Sequence, residues 1–205
     1  MALVKLNNRG VRSATTFGSA AVLGEMILIK KQTASSDTTI SFVDGTSDVV
    51  LDDTYKEYLF TFNNIHPETD NTKLEFDFST DGGSNYSVTK TSTSWRGQHG
   101  EDDSSGVQQY DGALDLAQGT ANQILGDSGN DNDQALSGYI FLFNPSSTTF
   151  VKHYIATSCG SRHNDLQQQY FIAGYGNTTS AIDAVQFNMN SGDIDAGDIC
   201  LYGIL

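Results

Sequence analysis

From Glu25 to its end, the chain is cut into short runs of β-branched and aromatic residues, separated by Ser, Asp or Gly. That punctuation is the tightest constraint on the fold. An apolar repeat of two over a few residues suits an extended strand, and no long run keeps a helical repeat. MILIKK, TISFVDG and VVLDD come first, followed by the longer aromatic YKEYLFTF (55–62). KLEFDF (73–78) alternates cleanly, with Leu74, Phe76 and Phe78 to one side and Lys73, Glu75 and Asp77 to the other. This predicts a strand with one wet face. STDGGSNY then supplies hairpin chemistry, because glycine takes the positive φ of a tight turn without steric cost.

The later runs GYIFLFNP, FVKHYIAT, QYFIAGYG, AVQFNM and DICLYGIL have the same character. In GYIFLFNP, Tyr139, Phe141 and Phe143 alternate with Ile140 and Leu142, so both faces are apolar and the strand is expected to be covered twice. His153 alternates with Val151 and Ile155 and is expected to be partly buried. Ten or so strands spaced roughly 10 to 20 residues apart predict two packed antiparallel sheets. The fold class is all-β, an antiparallel, jelly-roll-like β-sandwich. A chain of 205 residues suffices for one such core, and its 38% hydrophobic and 18% charged residues are those of a globular domain.

The net charge of −14 is unevenly spread. Up to Lys31 five basic residues face Glu25 alone, a net +4; the six basic and 24 acidic residues that follow give −18. An acidic body speaks against nucleic-acid binding, which draws its affinity from Lys and Arg. Residues 1–24 keep no strand or helix period and read as an irregular N-terminal arm, with Lys5, Arg9 and Arg12 suited to an acidic docking surface. The apolar stretch from Ala20 to Ile29 is interrupted by Glu25 and followed by Lys30 and Lys31, so it reads as a strand with its lead-in. No apolar run reaches the length of a membrane span.

Residues 25–205 then form the sandwich domain, with long polar loops expected at about 97–133, where GQHGEDDSSG and GDSGNDNDQ flank YDGALDLAQGTANQIL. The terminal SGDIDAGDICLYGIL reads as two apolar pieces joined by Asp195-Ala196-Gly197. Ile199, Leu201 and Leu205 are assigned to one face and Cys200, Tyr202 and Ile204 to the other, as in a central or interface-covered strand.

Chemistry-bearing motifs are few. The four histidines lack metal-ligand spacing, and neither Cys159 nor Cys200 lies in a CxxC. No nucleophile elbow, phosphate loop or dinucleotide fingerprint occurs, so the chain is read as no enzyme, with no cofactor and no metal. Asp127, Asp131 and Asp133 carry oxygens of the kind calcium takes, but their spacing is not that of an EF-hand, and a solvated loop is expected. Trp95 is expected to close a strand and pack into the core. The competing reading groups Trp95 and Tyr110 with Asp127, Asp131 and Asp133 as a sugar-binding surface. There aromatic faces would stack on sugar rings and carboxylates would accept hydroxyl hydrogens.

The order of several stretches resembles small β-rich virion structural proteins of tailed bacteriophages, especially phages of marine bacteria. The stretches are VKLNNRGVRSATTFGS, YKEYLFTFNNIHPETDNTKLEFDFSTDGGSNY, GYIFLFNPSSTTFVKHYIAT, YGNTTSAIDAVQFNMNSG and GDIDAGDICLYGIL. The resemblance implies a tail fibre, knob or capsid-surface appendage subunit, made in the host bacterial cytoplasm and residing in the virion. Its expected partners are other virion proteins, further copies of itself in a homo-oligomer (a trimer favoured), and, if it is lectin-like, a host surface glycan. Membrane insertion is not expected.

Overall fold

The computed structural model describes residues 26–104 and 106–205. Within them lie thirteen strands: β1 (Met26–Asp37), β2 (Ile40–Val43), β3 (Glu57–Pro67), β4 (Thr72–Ser79), β5 (Lys90–Gly100), β6 (Gly106–Tyr110), β7 (Ala117–Gly119), β8 (Gln123–Ser128), β9 (Leu136–Phe143), β10 (Lys152–Arg162), β11 (Leu166–Gly176), β12 (Ala184–Met189) and β13 (Ile194–Ile204). The described residues hold no helix long and apolar enough to cross a membrane. The arm, with Lys5, Arg9 and Arg12, lies outside them.

Two antiparallel sheets make the β-sandwich. The large one runs β1-β13-β3-β9-β10-β11-β5-β6, with β7 also paired to β5, and the small one runs β2-β12-β4-β8. The chain crosses between them at β1–β2, β2–β3, β3–β4, β4–β5, β7–β8, β8–β9, β11–β12 and β12–β13, so β1, β13, β3 and β9 belong to one sheet and β2, β12, β4 and β8 to the other. Hairpin β10–β11 and strands β5 and β6 extend the large sheet beyond β9.

Aromatic rings fill the space between the sheets. Phe42 and Phe187 of the small sheet meet Phe60 of the large one at centroid distances of 5.4 and 5.6 Å. Phe76 and Phe78 pack against Tyr154 at 5.2 and 5.7 Å. All but the tilted Phe60–Phe187 pair are edge to face, and such pairs add about 0.5–1.5 kcal/mol beyond the area they bury. These rings come from positions whose alternation in the sequence marks them as inward.

Several expectations are corrected. KLEFDF points Leu74, Phe76 and Phe78 inward as read, but Asp77 is also buried, because Lys90 covers it. STDGGSNY turns the chain, with positive φ at Gly82 and Gly83, yet β4 and β5 lie in different sheets, so no hairpin forms. Turn chemistry fixes a reversal, not the sheet that the next strand joins. The stretch at 97–133 is about half strand: it carries the end of β5, then β6, β7 and β8. Its polar outward residues at the edge of a sheet imitate a loop.

Within one copy of the chain GYIFLFNP is covered on one face: Ile140 and Leu142 are buried, while Tyr139 is exposed and Phe141 and Phe143 are half-buried on the outer face. His153 is exposed, because inward parity on β10 falls to Lys152, Tyr154 and Ala156. The terminal segment is one strand rather than two pieces. β13 pairs with both β1 and β3, and its register shifts twice between Ile194 and Asp198. Gly197 has φ +119° there, and a Cβ would strike the carbonyl oxygen of Asn64. Ile199 and Leu201 share one face as assigned, and it is the inward one, but Leu205 lies past the strand end and is exposed.

Candidate binding surface on the outer sheet face

The outer face of the large sheet can be read from its registers. Trp95 pairs with Tyr110 on one side and Phe171 on the other; Phe171 pairs with Thr157, and Thr157 with Tyr139. One step along, Thr93, Ala173, Ile155 and Phe141 form a second row, which continues through Leu59 of β3 and Tyr202 of β13. Paired residues in antiparallel strands point to the same face, so each row is a line of neighbouring side chains.

Their exposure sets this face apart: Trp95 is 50% exposed, Phe171 49%, Ile155 48% and Tyr110 43%. Across β9, β10, β11 and β5 no outward residue is Asp, Glu, Lys or Arg. From strand spacing and rise, these four strands present on the order of 500 Å². Threonine, glutamine and histidine side chains take part of that area, and the exposed rings and Ile155 among them form the kind of apolar surface that marks interaction sites.

The β5–β6 end of the face holds a trough of about 520 Å³, lined among others by Trp95, Gly97, His99, Gln108, Gln169 and Phe171. Gly97 forms its floor, where an added Cβ would meet nothing within 4 Å. Trp95 and Tyr110 stand edge to face at 5.4 Å. The Tyr110 hydroxyl donates to the Asp115 carboxylate, which holds the ring in place and raises its pKa.

Below the trough, inward side chains of the same strands form a polar network. The Tyr170 hydroxyl donates to Gln168 Oε1 at 2.5 Å, Gln168 Nε2 donates to Gln98 Oε1 at 3.1 Å, and Arg96 Nη1 lies 3.3 Å from Asp111 Oδ2. Burial pushes the Tyr170 pKa far up, so it acts only as a neutral hydroxyl. Interlocked partners of this kind fix the strands that carry the trough.

The structure brings Trp95 and Tyr110 together and separates them from the three aspartates. Trp95 is not a core residue: its position on β5 has outward parity, which its place at the end of a threonine-rich run does not reveal. Asp127 is 4% exposed on β8, with Oδ2 3.4 Å from Arg162 Nε. Asp131 and Asp133 sit near His66, whose Nε2 lies 3.3 Å from the Asp131 carbonyl oxygen, while Asp133 helps line a hollow with His66 and Asp195. Among the described residues no three His, Cys, Asp or Glu side chains could hold one metal ion. Cys159, exposed, and Cys200, buried, are both free.

Phe171, Gln169, Gln108 and Gly97 were not legible as site residues. The one available signal was the alternation Gln167, Gln169, Phe171 in LQQQYF, which puts amides and a ring on one parity. Comparison with protein families, curated proteins and solved structures gave no match.

Proposed function

We propose that this chain is a non-enzymatic virion structural protein of a tailed phage, a tail fibre, knob or capsid-surface appendage subunit attached through residues 1–24. The observation that carries the reading is the alternation of β1, β13, β3 and β9 against β2, β12, β4 and β8. Two interleaved four-strand blocks of this kind are in keeping with a jelly roll to which β5–β7 and β10–β11 have been added, and jelly rolls recur in viral capsid and lectin domains. The sequence resemblance points the same way. The uncharged aromatic outer face adds a surface for further copies of the chain, in keeping with a homo-oligomer such as a trimer. Deleting residues 1–24 is expected to abolish incorporation into particles and leave the far-ultraviolet circular dichroism of the sandwich unchanged. A truncated chain that still enters particles would overturn the attachment role.

The trough favours a second reading, a lectin-like module for host surface polysaccharide. Trp95 and Phe171 offer ring faces for sugar C–H groups, and Gln108 and Gln169 offer donors and acceptors for hydroxyls. The lining includes no carboxylate, so binding of neutral glycans should not need calcium. On a glycan array the full chain should bind in the presence of a chelator, and Trp95→Ala should lose at least tenfold in affinity. No binding by the full chain, with or without calcium, would remove this reading.

A further inference from the structure

Two buried ionisable side chains take no part in the surface just described. Lys90 opens β5 in the large sheet, and Asp77 stands near the end of β4 in the small sheet. Their side chains are 0% and 2% exposed and in direct contact, Lys90 Nζ against Asp77 Oδ1. Lys90 Nζ also donates to the Val88 carbonyl oxygen at 2.8 Å, and the Phe78 amide donates to Asp77 Oδ1 at 2.6 Å. Asp77 Oδ2 is buried without any partner.

An ion pair fits these surroundings poorly. Two charges removed from water need every polar atom satisfied, and here one carboxylate oxygen is orphaned. We propose that Lys90 and Asp77 condense to form an intramolecular isopeptide bond. The Nζ lone pair attacks Cγ of the protonated carboxyl and forms the N–C bond. The bond from Cγ to Oδ2 breaks, and Oδ2 leaves as water, taking one amine proton. No oxidant, reductant or cofactor is required.

The product resolves the hydrogen bonding. Its single N–H has the Val88 carbonyl as acceptor, its carbonyl oxygen is the former Oδ1 with the Phe78 amide as donor, and the orphaned atom is the one expelled. Burial also favours the neutral reactants, raising the Asp77 pKa and lowering that of Lys90, against their mutual attraction. Lys152 supplies an internal contrast. It is equally buried, but its Nζ donates to the carbonyls of Phe150 and Thr178, at 2.8 and 3.2 Å, and none of its hydrogen-bond partners is a carboxylate. It is expected to remain an amine. The bond would join residues 13 apart in sequence and tie one sheet of the sandwich to the other.

The test is the intact mass of the full purified chain in denaturant. The expected mass is lower than that of the sequence by one water, with a branched proteolytic peptide joining the Asp77 and Lys90 segments. Lys90→Arg should restore the full mass. Should that variant fail to fold, Asp77→Asn supplies the check, because condensation there expels ammonia and changes the mass deficit accordingly. An unmodified mass in the folded wild-type chain overturns the proposal. So does a water loss that persists in Lys90→Arg, which would place it at an Asp-Gly succinimide such as Asp81-Gly82.

Discussion

Asp81 shows how much one side chain can organise. Its Oδ1 accepts from the Ser79 hydroxyl at 2.7 Å and the Asn85 amide at 2.9 Å, while Oδ2 accepts from Asn85 Nδ2 at 2.6 Å. These bonds favour the carboxylate and hold its pKa down, from 3.8 to about 2, with the Asn85 side chain the largest cause. The group is depressed in the folded chain, so its contribution is complete above the unfolded value near 4 and is lost as pH falls through about 2. Protection of the Asn85 amide, its exchange taken relative to that of an unstructured peptide at the same pH, should therefore fall between about pH 4 and pH 2, and Asp81→Asn should flatten that acid limb. Protection that is unchanged across that range in the wild-type chain would contradict the assignment. The residues of this turn are contiguous, so its chemistry is readable in STDGGSN. The partnership of Asp77 with Lys90 is not, because nothing in KLEFDF says that a strand of the opposite sheet covers its outward carboxylate.

At the scale of elements, β9 is the joint between the block β1-β13-β3-β9 and the strands that extend the large sheet beyond it. It pairs with β3 on one side and β10 on the other, and both neighbours come close at Gly138. A Cβ there would run into the carbonyl oxygen of Thr157 and the Cα of Ser158, both backbone atoms that cannot rotate away. Gly138→Val should therefore cost about 1–3 kcal/mol as overpacking, read as a lower urea midpoint. Stability equal to wild type would mean that β9 and β10 do not approach so closely. Strand positions along the chain were legible, and inward parity in KLEFDF follows from side-chain alternation, whereas IFLF and the terminal segment are apolar on both faces and only packing picks the inward one. Sheet membership was not, because pairing partners lie far apart in sequence: β5 joins β11 and β6, while β4 joins β12 and β8.

For the whole molecule, the question is what covers the aromatic outer face. Ile155 stands near its centre, paired with Phe141 and Ala173 and 48% exposed, so its side chain adds little to the fold of a single subunit. Ile155→Lys should leave the denaturation midpoint within about 0.5 kcal/mol of wild type. In sedimentation it should shift the proposed homo-oligomer towards monomer, because an uncompensated charge on a closing apolar surface is costly. A wild-type chain that stays monomeric at high concentration would exclude this face as an obligate contact between copies. The charge balance supports the argument at this scale: the acidic residues lie elsewhere and leave four adjacent strands without a charge on their outer side.

The sequence by itself determined that this chain is all-β, where most strands run, and, where one face is polar as in KLEFDF, which residues turn inward. Those properties depend on the two-residue repeat and on turn chemistry, which act over a few bonds. Only the tertiary structure decided that β13 lies between β1 and β3 in the large sheet, that Trp95 faces solvent beside Phe171, and that Asp127 is parted from Asp131 and Asp133. It likewise decided that Lys90 and Asp77 meet in the interior. Each of these depends on which distant strand becomes a neighbour, and the packing of two whole sheets settles that choice, not any local segment.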